Sequence, residues 1–195
     1  MIRITPARPS GTIEVPASKS QTIRAFLIAY FSGEGSIIRH PLISSDTESC
    51  INAIRALGAK VSFSQDMSAA YVDASSMKLP ESIVIDAGNS GTTEYLLLPM
   101  AAALGIPVTI TGDEQLRRRP LGPLAGALRS LGAEITCQDG KPPVTIKGPL
   151  AGGHASIECR TSQYLSGLLL GSVLAKGDTV IDCPLLFEKP YVSLT

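Results

Sequence analysis

Tryptophan is absent from this sequence, and aromatic residues of all kinds make up only 5% of it. The 17 lysine and arginine residues are balanced by 17 aspartate and glutamate residues, so the formal net charge at pH 7 is zero. Nucleic-acid-binding proteins usually combine a basic surplus with aromatic side chains on which bases stack. The composition therefore excludes nucleic acid as the expected partner, and a few local cations must bind any anionic ligand.

The sequence also lacks the spacings that disulfide frameworks, metal sites and membrane anchors require. The four cysteines are far apart, without a C-x-x-C motif, which is typical of reduced thiols in a cytosolic protein. They are Cys50, Cys137, Cys159 and Cys183. His40 and His154 have no second type of ligand nearby, and proline and glycine interrupt the longest uncharged run, 95–112. We therefore expect a cytoplasmic protein with no metal site and no membrane association.

Internal repetition is the main feature that the sequence does contain. Three segments share one layout: small polar residues, an apolar stretch, a glycine and a β-branched run. Ser20, Ser90 and Ser162 open these segments and are 70 and 72 residues apart, and the glycines keep the same separations. The glycines are Gly35, Gly105 and Gly177. Each segment predicts a helix that begins at the polar residues and is followed by a strand.

A second predicted helix follows in the first two segments and ends near Gly58 or Gly132, which are 74 residues apart. The predicted strands include residues 12–15, 36–39, 60–63 and 83–85. The result is an α/β (α+β) domain of repeated β-α-β-α-β-β units. Only twelve residues follow Cys183 (195 − 183), so we expect two complete units and a truncated third, as in a fragment or half of an assembly.

The predicted helix starts carry groups that suit an anion, because unpaired N–H groups and a partial positive charge lie at this end of a helix. Lys19 and Ser20 stand at the first start, with Arg24 one turn later. The second start has Asn89, Ser90, Gly91, Thr92 and Thr93, and the third has Thr161, Ser162 and Gln163. Three arginines at 117–119 precede Pro120, which predicts that they open a further helix.

Each of these features also has an ordinary structural explanation. Serine, threonine and asparagine are common helix N-caps, and the arginine run could be a solvated surface. Asp46 and Glu48 fit acids in the first turn of a helix. The conjunction of three polar starts at one register, with lysine and arginine among them, favours anion binding.

Five motifs, in order and spacing, resemble the N-terminal part of the 5-enolpyruvylshikimate-3-phosphate synthase family. They are PASKSQTIRA, GNSGTT, TGDEQLRRRPLGPLAGALRSLGA, TSQYLSGLL and KPYVSLT. The resemblance implies a two-domain fold of β-α-β-α-β-β units whose helix N-termini face a cleft between the domains. It also implies that residues 1–15 pack with a second domain missing from this chain, and that residues 16–195 form an N-terminal domain, incomplete at its C-terminal end.

The resemblance implies transfer of the enolpyruvyl group of phosphoenolpyruvate to the 5-hydroxyl of shikimate 3-phosphate, with release of phosphate. This shikimate-pathway step of aromatic amino-acid biosynthesis uses no cofactor. In the family, the proton-transferring residues come from the second domain. No catalytic residue is therefore assignable in this chain beyond an electrostatic role for Lys19, and we expect the isolated chain to bind substrate weakly without turnover.

Position by position, the resemblance implies which residues contact each substrate. Those for shikimate 3-phosphate are Lys19, Ser20, Arg24, Thr161, Ser162 and Gln163. Those for phosphoenolpyruvate are Lys19, Asn89, Gly91, Arg119 and Gln163. Two departures limit the transfer. Glu188 stands where the family has a phosphate-binding serine, so its carboxylate must point away or weaken binding. Tyr95 stands where many members have an arginine, which leaves one cation fewer.

Two other functions stay open. A sister enolpyruvyl transferase that acts on UDP-N-acetylglucosamine shares the fold and the phosphoenolpyruvate chemistry, although the S-K-S, G-D-E-x-x-x-x-R-P and S-Q motifs favour the shikimate enzyme. From a different class, the chain could be a non-catalytic half-module that works only with a separate partner chain.

Overall fold

A computed structural model of the protein describes residues 2–76 and 78–195. The helices are α1 (Lys19–Phe31), α2 (Ser45–Ala56), α3 (Gly91–Ala101), α4 (Gly122–Ser130), α5 (Ser162–Ser172) and α6 (Lys189–Leu194). The strands are β1 (Gly35–Arg39), β2 (Lys60–Phe63), β3 (Ala69–Asp73), β4 (Ile83–Asp86), β5 (Val108–Thr111), β6 (Glu134–Gln138), β7 (Lys141–Lys147), β8 (Gly153–Cys159) and β9 (Thr179–Leu186). Within the described ranges, none of the helices has the length and apolar character needed to cross a bilayer.

The strands form three sheets. The first is antiparallel, in the order β1-β3-β2. The second has the order β4-β5-β7-β6, in which β4 and β5 are parallel and the other pairs are antiparallel. The third is the parallel pair of β8 and β9. A helix, α3 or α5, links the two strands of each parallel pair, because parallel neighbours need a long crossover.

The predicted mixed α/β architecture is confirmed, but one of the predicted strands is wrong. The strands over 36–39, 60–63 and 83–85 are present as β1, β2 and β4. Residues 12–15 form no strand and are exposed. A strand is held by hydrogen bonds to a neighbouring strand, and none of the described sheets pairs with this segment. Its β-branched composition is therefore insufficient to make it a strand.

The three predicted helix starts are confirmed, and a polar side chain caps each of them. The caps are Ser18 for α1, Ser90 for α3 and Thr161 for α5. Their hydroxyl oxygens accept hydrogen bonds, 3.3 or 3.4 Å long, from backbone N–H groups two or three residues later. Because each cap satisfies an otherwise unpaired helix N–H, it fixes the residue at which the helix begins.

The prediction that the arginine run opens the second helix of the middle unit is wrong. Helix α4 begins at Gly122, whereas the arginines lie in and just after a 3₁₀ turn, Leu116–Arg118. Arg119 is extended (φ −76°, ψ 133°). A residue that precedes proline is disfavoured in the α conformation, so Pro120 separates the arginines from the helix.

Helices α2 and α4 end with the same backbone geometry. Gly58 (φ 97°) and Gly132 (φ 95°) both follow the helix in the left-handed region. In each case the residue after the glycine donates its N–H to a carbonyl five positions earlier, at 3.0 Å. Glycine adopts this conformation without steric cost. The glycine spacing noted in the sequence therefore marks one helix-ending geometry that occurs twice.

Helix α3 lies at the centre of the hydrophobic core. Every residue of this helix is buried, and it packs against α1, α2 and α5. The approach of α5 is close: a Cβ on Gly167 would overlap the carbonyl oxygen of Tyr95, and a Cβ on Gly171 would lie 2.7 Å from Cβ of Pro99. Pro99 has no N–H to donate to the Tyr95 carbonyl within α3, which leaves that carbonyl to face α5.

We expect Gly171→Ala to lower the free energy of unfolding by about 1–3 kcal/mol, because the added methyl group forces α3 and α5 apart. The matched control is Gly126→Ala in α4, where the added Cβ would have no neighbour within 4 Å beyond the adjoining residues and backbone of its own helix. Alanine's higher helix propensity should leave that variant unchanged or more stable by up to about 1 kcal/mol. Urea unfolding measures both changes, and equal effects at the two positions would contradict the close-contact explanation.

Candidate functional site

Two adjoining cavities lie at the N-termini of α1, α3 and α5. The first, here called the α6 cavity, has a volume of about 260 Å³ and is lined by Lys19, Ser20, Arg24, Thr92, Ser162, Gln163, Glu188 and Tyr191. The second, the α2 cavity, has a volume of about 330 Å³ and is lined by Lys19, Ser45, Asp46, Asn89, Gly91, Thr92, Arg119 and Gln163. Lys19, Thr92 and Gln163 therefore border both spaces.

The two predicted sets of substrate-binding residues line different cavities, except for Lys19 and Gln163, which belong to both sets and line both cavities. All five residues assigned to phosphoenolpyruvate line the α2 cavity. Five of the six assigned to shikimate 3-phosphate line the α6 cavity. The sixth, Thr161, caps α5 and is not among the lining residues of either cavity. The structure thus brings the predicted residues together, and their roles stay predictions.

Lys19 lies between the two cavities and is held by a carboxylate. Its Nζ donates to Oδ2 of Asp46 at 2.7 Å, while 44% of the lysine side chain stays exposed. Asp46 and Glu48 lie in the first turn of α2, as the sequence predicted. The interpretation of Asp46 as a helix-start acid was incomplete, because the same carboxylate orients the ammonium group. Only the folded chain brings these two residues, 27 positions apart, into contact.

Arg119 reaches the α2 cavity through a short chain of hydrogen bonds. Its Nη2 donates to Oδ1 of Asn89 at 2.6 Å, and Nδ2 of Asn89 donates to Oε1 of Gln115 at 2.7 Å. A Cβ at Gly91 would overlap Nη1 of Arg119. Glycine at the start of α3 therefore makes room for the guanidinium group, in addition to leaving space for a ligand against the backbone.

The other two arginines of the run make contacts of their own outside the cavities. Nε of Arg117 donates to the carbonyl oxygen of Gly112 at 2.7 Å. Arg118 pairs with Glu114, and these two side chains are 74% and 80% exposed. The solvated-surface explanation therefore applies to Arg118, whereas Arg119 has the position that an anion site would need.

Near Arg119, helix α3 buries a carboxyl group that has no polar contact. Glu94 is fully buried, and neither of its carboxyl oxygens has a hydrogen-bond partner among residues 2–76 and 78–195. Burial raises the pKa of Glu94 to about 8, against the opposing effect of the Arg119 charge. The carboxyl group is therefore largely protonated at neutral pH. Sequence alone does not reveal this burial, since acids are common in the first turn of a helix.

Tyr95, which stands where the resemblance predicts a cation, lies inside the protein next to Tyr164. The two rings pack edge to face with their centroids 5.1 Å apart. Both hydroxyl groups donate to the carbonyl oxygen of Pro120, at 3.2 Å from Tyr95 and 2.6 Å from Tyr164. Burial raises the pKa of both phenols, so both remain donors. They anchor the residue that directly follows Arg119.

Arg24 is the buried cation of the α6 cavity, and its hydrogen bonds go to uncharged groups. Nη1 donates to the carbonyl oxygen of Ser20 at 2.9 Å, Nη2 to Oγ of Ser166 at 3.0 Å and Nε to Oγ1 of Thr195 at 2.8 Å. Burial lowers the pKa of Arg24, but a guanidinium group keeps its charge in proteins. Among the described residues, no carboxylate forms a salt bridge with it, so its charge is not neutralised.

Glu188 faces the α6 cavity, so the alternative that it points away is wrong. Its backbone is left-handed (φ 56°, ψ 41°), and its Oε2 accepts a hydrogen bond from Oγ of Ser162 at 3.2 Å. The other alternative, weaker phosphate binding, stays a prediction. Tyr191, which also lines this cavity, lies within the KPYVSLT motif but was not singled out by the sequence.

Groups that could hold a metal are scarce in the described part of the chain. No cluster of three or more histidine, cysteine, aspartate or glutamate side chains forms there. The four cysteines are free. The side chains that line the two cavities are cations, hydroxyl groups, amides, the phenol of Tyr191 and the carboxylates of Asp46 and Glu188.

We expect the stability of the wild-type chain to fall, relative to Glu94→Gln, as the pH rises from about 5 to about 9. The folded state keeps the Glu94 proton up to a pKa of about 8, whereas an unfolded glutamate loses it near pH 4.3. Ionisation therefore favours unfolding across this window, by on the order of 2–4 kcal/mol. Urea unfolding at several pH values, with the exposed-site variant Glu134→Gln as control, measures the difference. Parallel pH curves for wild type and Glu94→Gln would contradict it.

The sequence of the chain matches one protein family over almost its whole length. Residues 4–195 match the family described as EPSP synthase (3-phosphoshikimate 1-carboxyvinyltransferase). The 3-phosphoshikimate 1-carboxyvinyltransferase of Acetivibrio thermocellus is 42% identical over 198 residues, covering 100% of this chain and 46% of the relative. The enzyme of the same name from Ruminiclostridium cellulolyticum is 40% identical, covering 95% of this chain and 44% of the relative.

A solved structure shows the same fold. The EPSP synthase of Acinetobacter baumannii superposes with a TM-score of 0.80 at 29% identity, covering 91% of this chain and 41% of that protein. The chain thus spans less than half the length of these relatives. With a family match over residues 4–195 and a fold shared with a solved member, the chain belongs to the EPSP synthase family.

Proposed function

We propose that this chain provides one wall of an enolpyruvyl transferase site. At that site the enolpyruvyl group of phosphoenolpyruvate moves to the 5-hydroxyl of shikimate 3-phosphate, and inorganic phosphate is released. The observation that carries the proposal is the separation of the two predicted substrate sets into adjoining cavities with a common border of Lys19, Thr92 and Gln163.

The α6 cavity suits the acceptor and the α2 cavity suits phosphoenolpyruvate. Each combines a cation with a helix N-terminus, Arg24 in the first case and Arg119 in the second, and polyanions are bound by such donors. The new C–O bond would form at the common border, where two ligands in adjoining spaces are held close together. Lys19 stands at this border, where its ammonium group can stabilise negative charge that develops in the transition state.

We infer that the proton transfers use groups outside the two cavities described here, because the carboxylates that line them are already engaged. Asp46 is paired with Lys19, and Glu188 accepts a hydrogen bond from Ser162. Members of the family are more than twice as long as the matched region. We infer that a second domain covers the two cavities and supplies the acid and base, while the side chains described here bind and orient the substrates.

The same proposal includes the finer architecture. The middle of the chain runs β4-α3-β5-α4-β6-β7, which supports a β-α-β-α-β-β unit. The elements before it, α1-β1-α2-β2-β3, and those after it, β8-α5-β9-α6, correspond to parts of the same unit. We propose that residues 1–15 pack with a second domain, that residues 16–195 belong to the N-terminal domain, and that the protein works in the cytoplasm.

The alternatives have less support. The relatives described above carry the name 3-phosphoshikimate 1-carboxyvinyltransferase, which supports a shikimate acceptor over a UDP-sugar. A half-module that works with a separate chain would use the same two cavities. Titration with shikimate 3-phosphate and with UDP-N-acetylglucosamine distinguishes the proposed acceptor from the UDP-sugar. Restoration of turnover on addition of a separate second chain would identify a half-module.

We expect Arg119→Met to raise the KM for phosphoenolpyruvate of the intact protein about 10- to 100-fold, because a charged hydrogen-bond donor to an anion is lost. The KM for shikimate 3-phosphate should change by less than about threefold, since Arg119 does not line the α6 cavity. Arg118→Met removes the neighbouring exposed arginine and is the matched control. Steady-state kinetics with each substrate varied in turn measures both constants, and an equal rise in both would contradict the division into two cavities.

We expect a polypeptide of residues 1–195 to bind shikimate 3-phosphate weakly and to release no phosphate from phosphoenolpyruvate. The binding groups of the α6 cavity are present, whereas the acid and base are proposed to come from a second domain. Calorimetric titration measures binding, and a phosphate-release assay with both substrates measures turnover. Sustained turnover by this polypeptide would show that its own side chains carry the proton transfers.

A further inference from the structure

Glu188 introduces a negative charge into a cavity that otherwise collects donors. Its carboxylate lines the α6 cavity together with Lys19, Arg24 and Ser162. Its backbone is in the left-handed region (φ 56°), which few residues other than glycine, asparagine and aspartate adopt. Unusual backbone conformations of this kind are concentrated at functional sites. Glu188 therefore combines an unusual backbone conformation with a position at the cavity.

The hydrogen bond of Glu188 occupies the donor that a phosphate would need. Oγ of Ser162 donates to Oε2 of Glu188 at 3.2 Å. A hydroxyl group has one hydrogen to donate, so Ser162 serves either the carboxylate or a bound phosphate oxygen. Ser162 is almost fully buried at the start of α5, so its hydroxyl group has little access to water as an alternative partner.

The cations of the cavity are also partly engaged. The Lys19 ammonium group is paired with Asp46 at 2.7 Å. Arg24 donates to Ser20, Ser166 and Thr195. The carboxylate of Glu188 would repel a phosphate dianion placed in this cavity. Only the N–H groups of Lys19 and Arg24 that are not already hydrogen-bonded would remain to bind it. A carboxylate only accepts hydrogen bonds, so the same position favours a ligand hydroxyl group over a phosphate oxygen.

We propose that Glu188 is a specificity-determining residue of the acceptor cavity, which reduces the contribution of the acceptor's phosphate group to binding. The protein then distinguishes shikimate 3-phosphate from unphosphorylated shikimate less strongly than it would with a neutral residue at this position. This inference rests on the proposed function, because it takes shikimate 3-phosphate as the ligand of the α6 cavity.

Calorimetric titration of the intact protein with each of the two acceptors tests the proposal. We expect Glu188→Ser to strengthen binding of shikimate 3-phosphate about tenfold and to change binding of shikimate by less than about twofold. Glu188→Gln keeps the size of the side chain and removes its charge, and should give part of the same gain. Glu158→Gln removes an exposed carboxylate outside the cavity and should change neither affinity. Thermal unfolding of each variant checks that it is folded.

The outcomes separate the inference from the function on which it rests. A gain confined to the phosphorylated acceptor in both Glu188 variants supports the role of the charge. Equal gains for the two acceptors, or no gain for either, would overturn that role and leave the proposed acceptor in place. If shikimate 3-phosphate binds to none of the variants and not to the wild type, the acceptor itself is wrong, and the inference fails with it.

Discussion

The close contact between α3 and α5 is the constraint on which the rest of the structure depends. Helix α3 is buried on all sides, so its neighbours must approach without leaving space between them. Gly167 and Gly171 allow α5 to do so, because a larger residue at either position would meet Tyr95 or Pro99 of α3. This contact sets the distance between the N-termini of the two helices. The cavities open where those N-termini and that of α1 come together.

Three carboxyl groups at or near this junction are in three different electrostatic situations. Asp46 is paired with Lys19 and holds its ammonium group in place. Glu188 faces a cavity and accepts a hydrogen bond from a serine. Glu94 is buried with no hydrogen-bond partner among the described residues, and its raised pKa of about 8 keeps it largely protonated at neutral pH. The formal net charge of the chain is zero. The local charge of the site depends instead on whether each acid is paired, hydrogen-bonded or buried.

Features that depend on local chain geometry could be predicted from the sequence. The sequence predicted that three helices begin at small polar residues, and the structure identifies their caps as Ser18, Ser90 and Thr161. A cap needs only its own hydroxyl group and a nearby N–H, so such a start is a local feature. Residues 12–15 have the composition of a strand, but a strand also needs a partner, which no local pattern reveals. The arginine run failed as a helix start for a local reason that was overlooked, since the residue before Pro120 is kept out of the α conformation.

Features that depend on tertiary packing could not be predicted. Glu94 has the sequence position of a solvated helix-start acid, and only the packing of α3 against its neighbours removes it from water. Glu188 has a left-handed backbone and contacts Ser162, 26 positions earlier in the chain, and neither feature has a local signal in the sequence. The family resemblance identified most of the cavity-lining residues, but it could not show that Lys19 and Asp46 form an ion pair.

The position of Lys19 on the border of both cavities has a consequence for substitutions in the site. A substitution of Arg24 or Arg119 alters the lining of a single cavity, so under the proposed function it would change the affinity for one ligand more than for the other. Lys19 lines both, and any change in its charge or reach acts on two recognition events at once. Lys19, Thr92 and Gln163 are therefore the residues whose replacement alters the lining of both cavities at once.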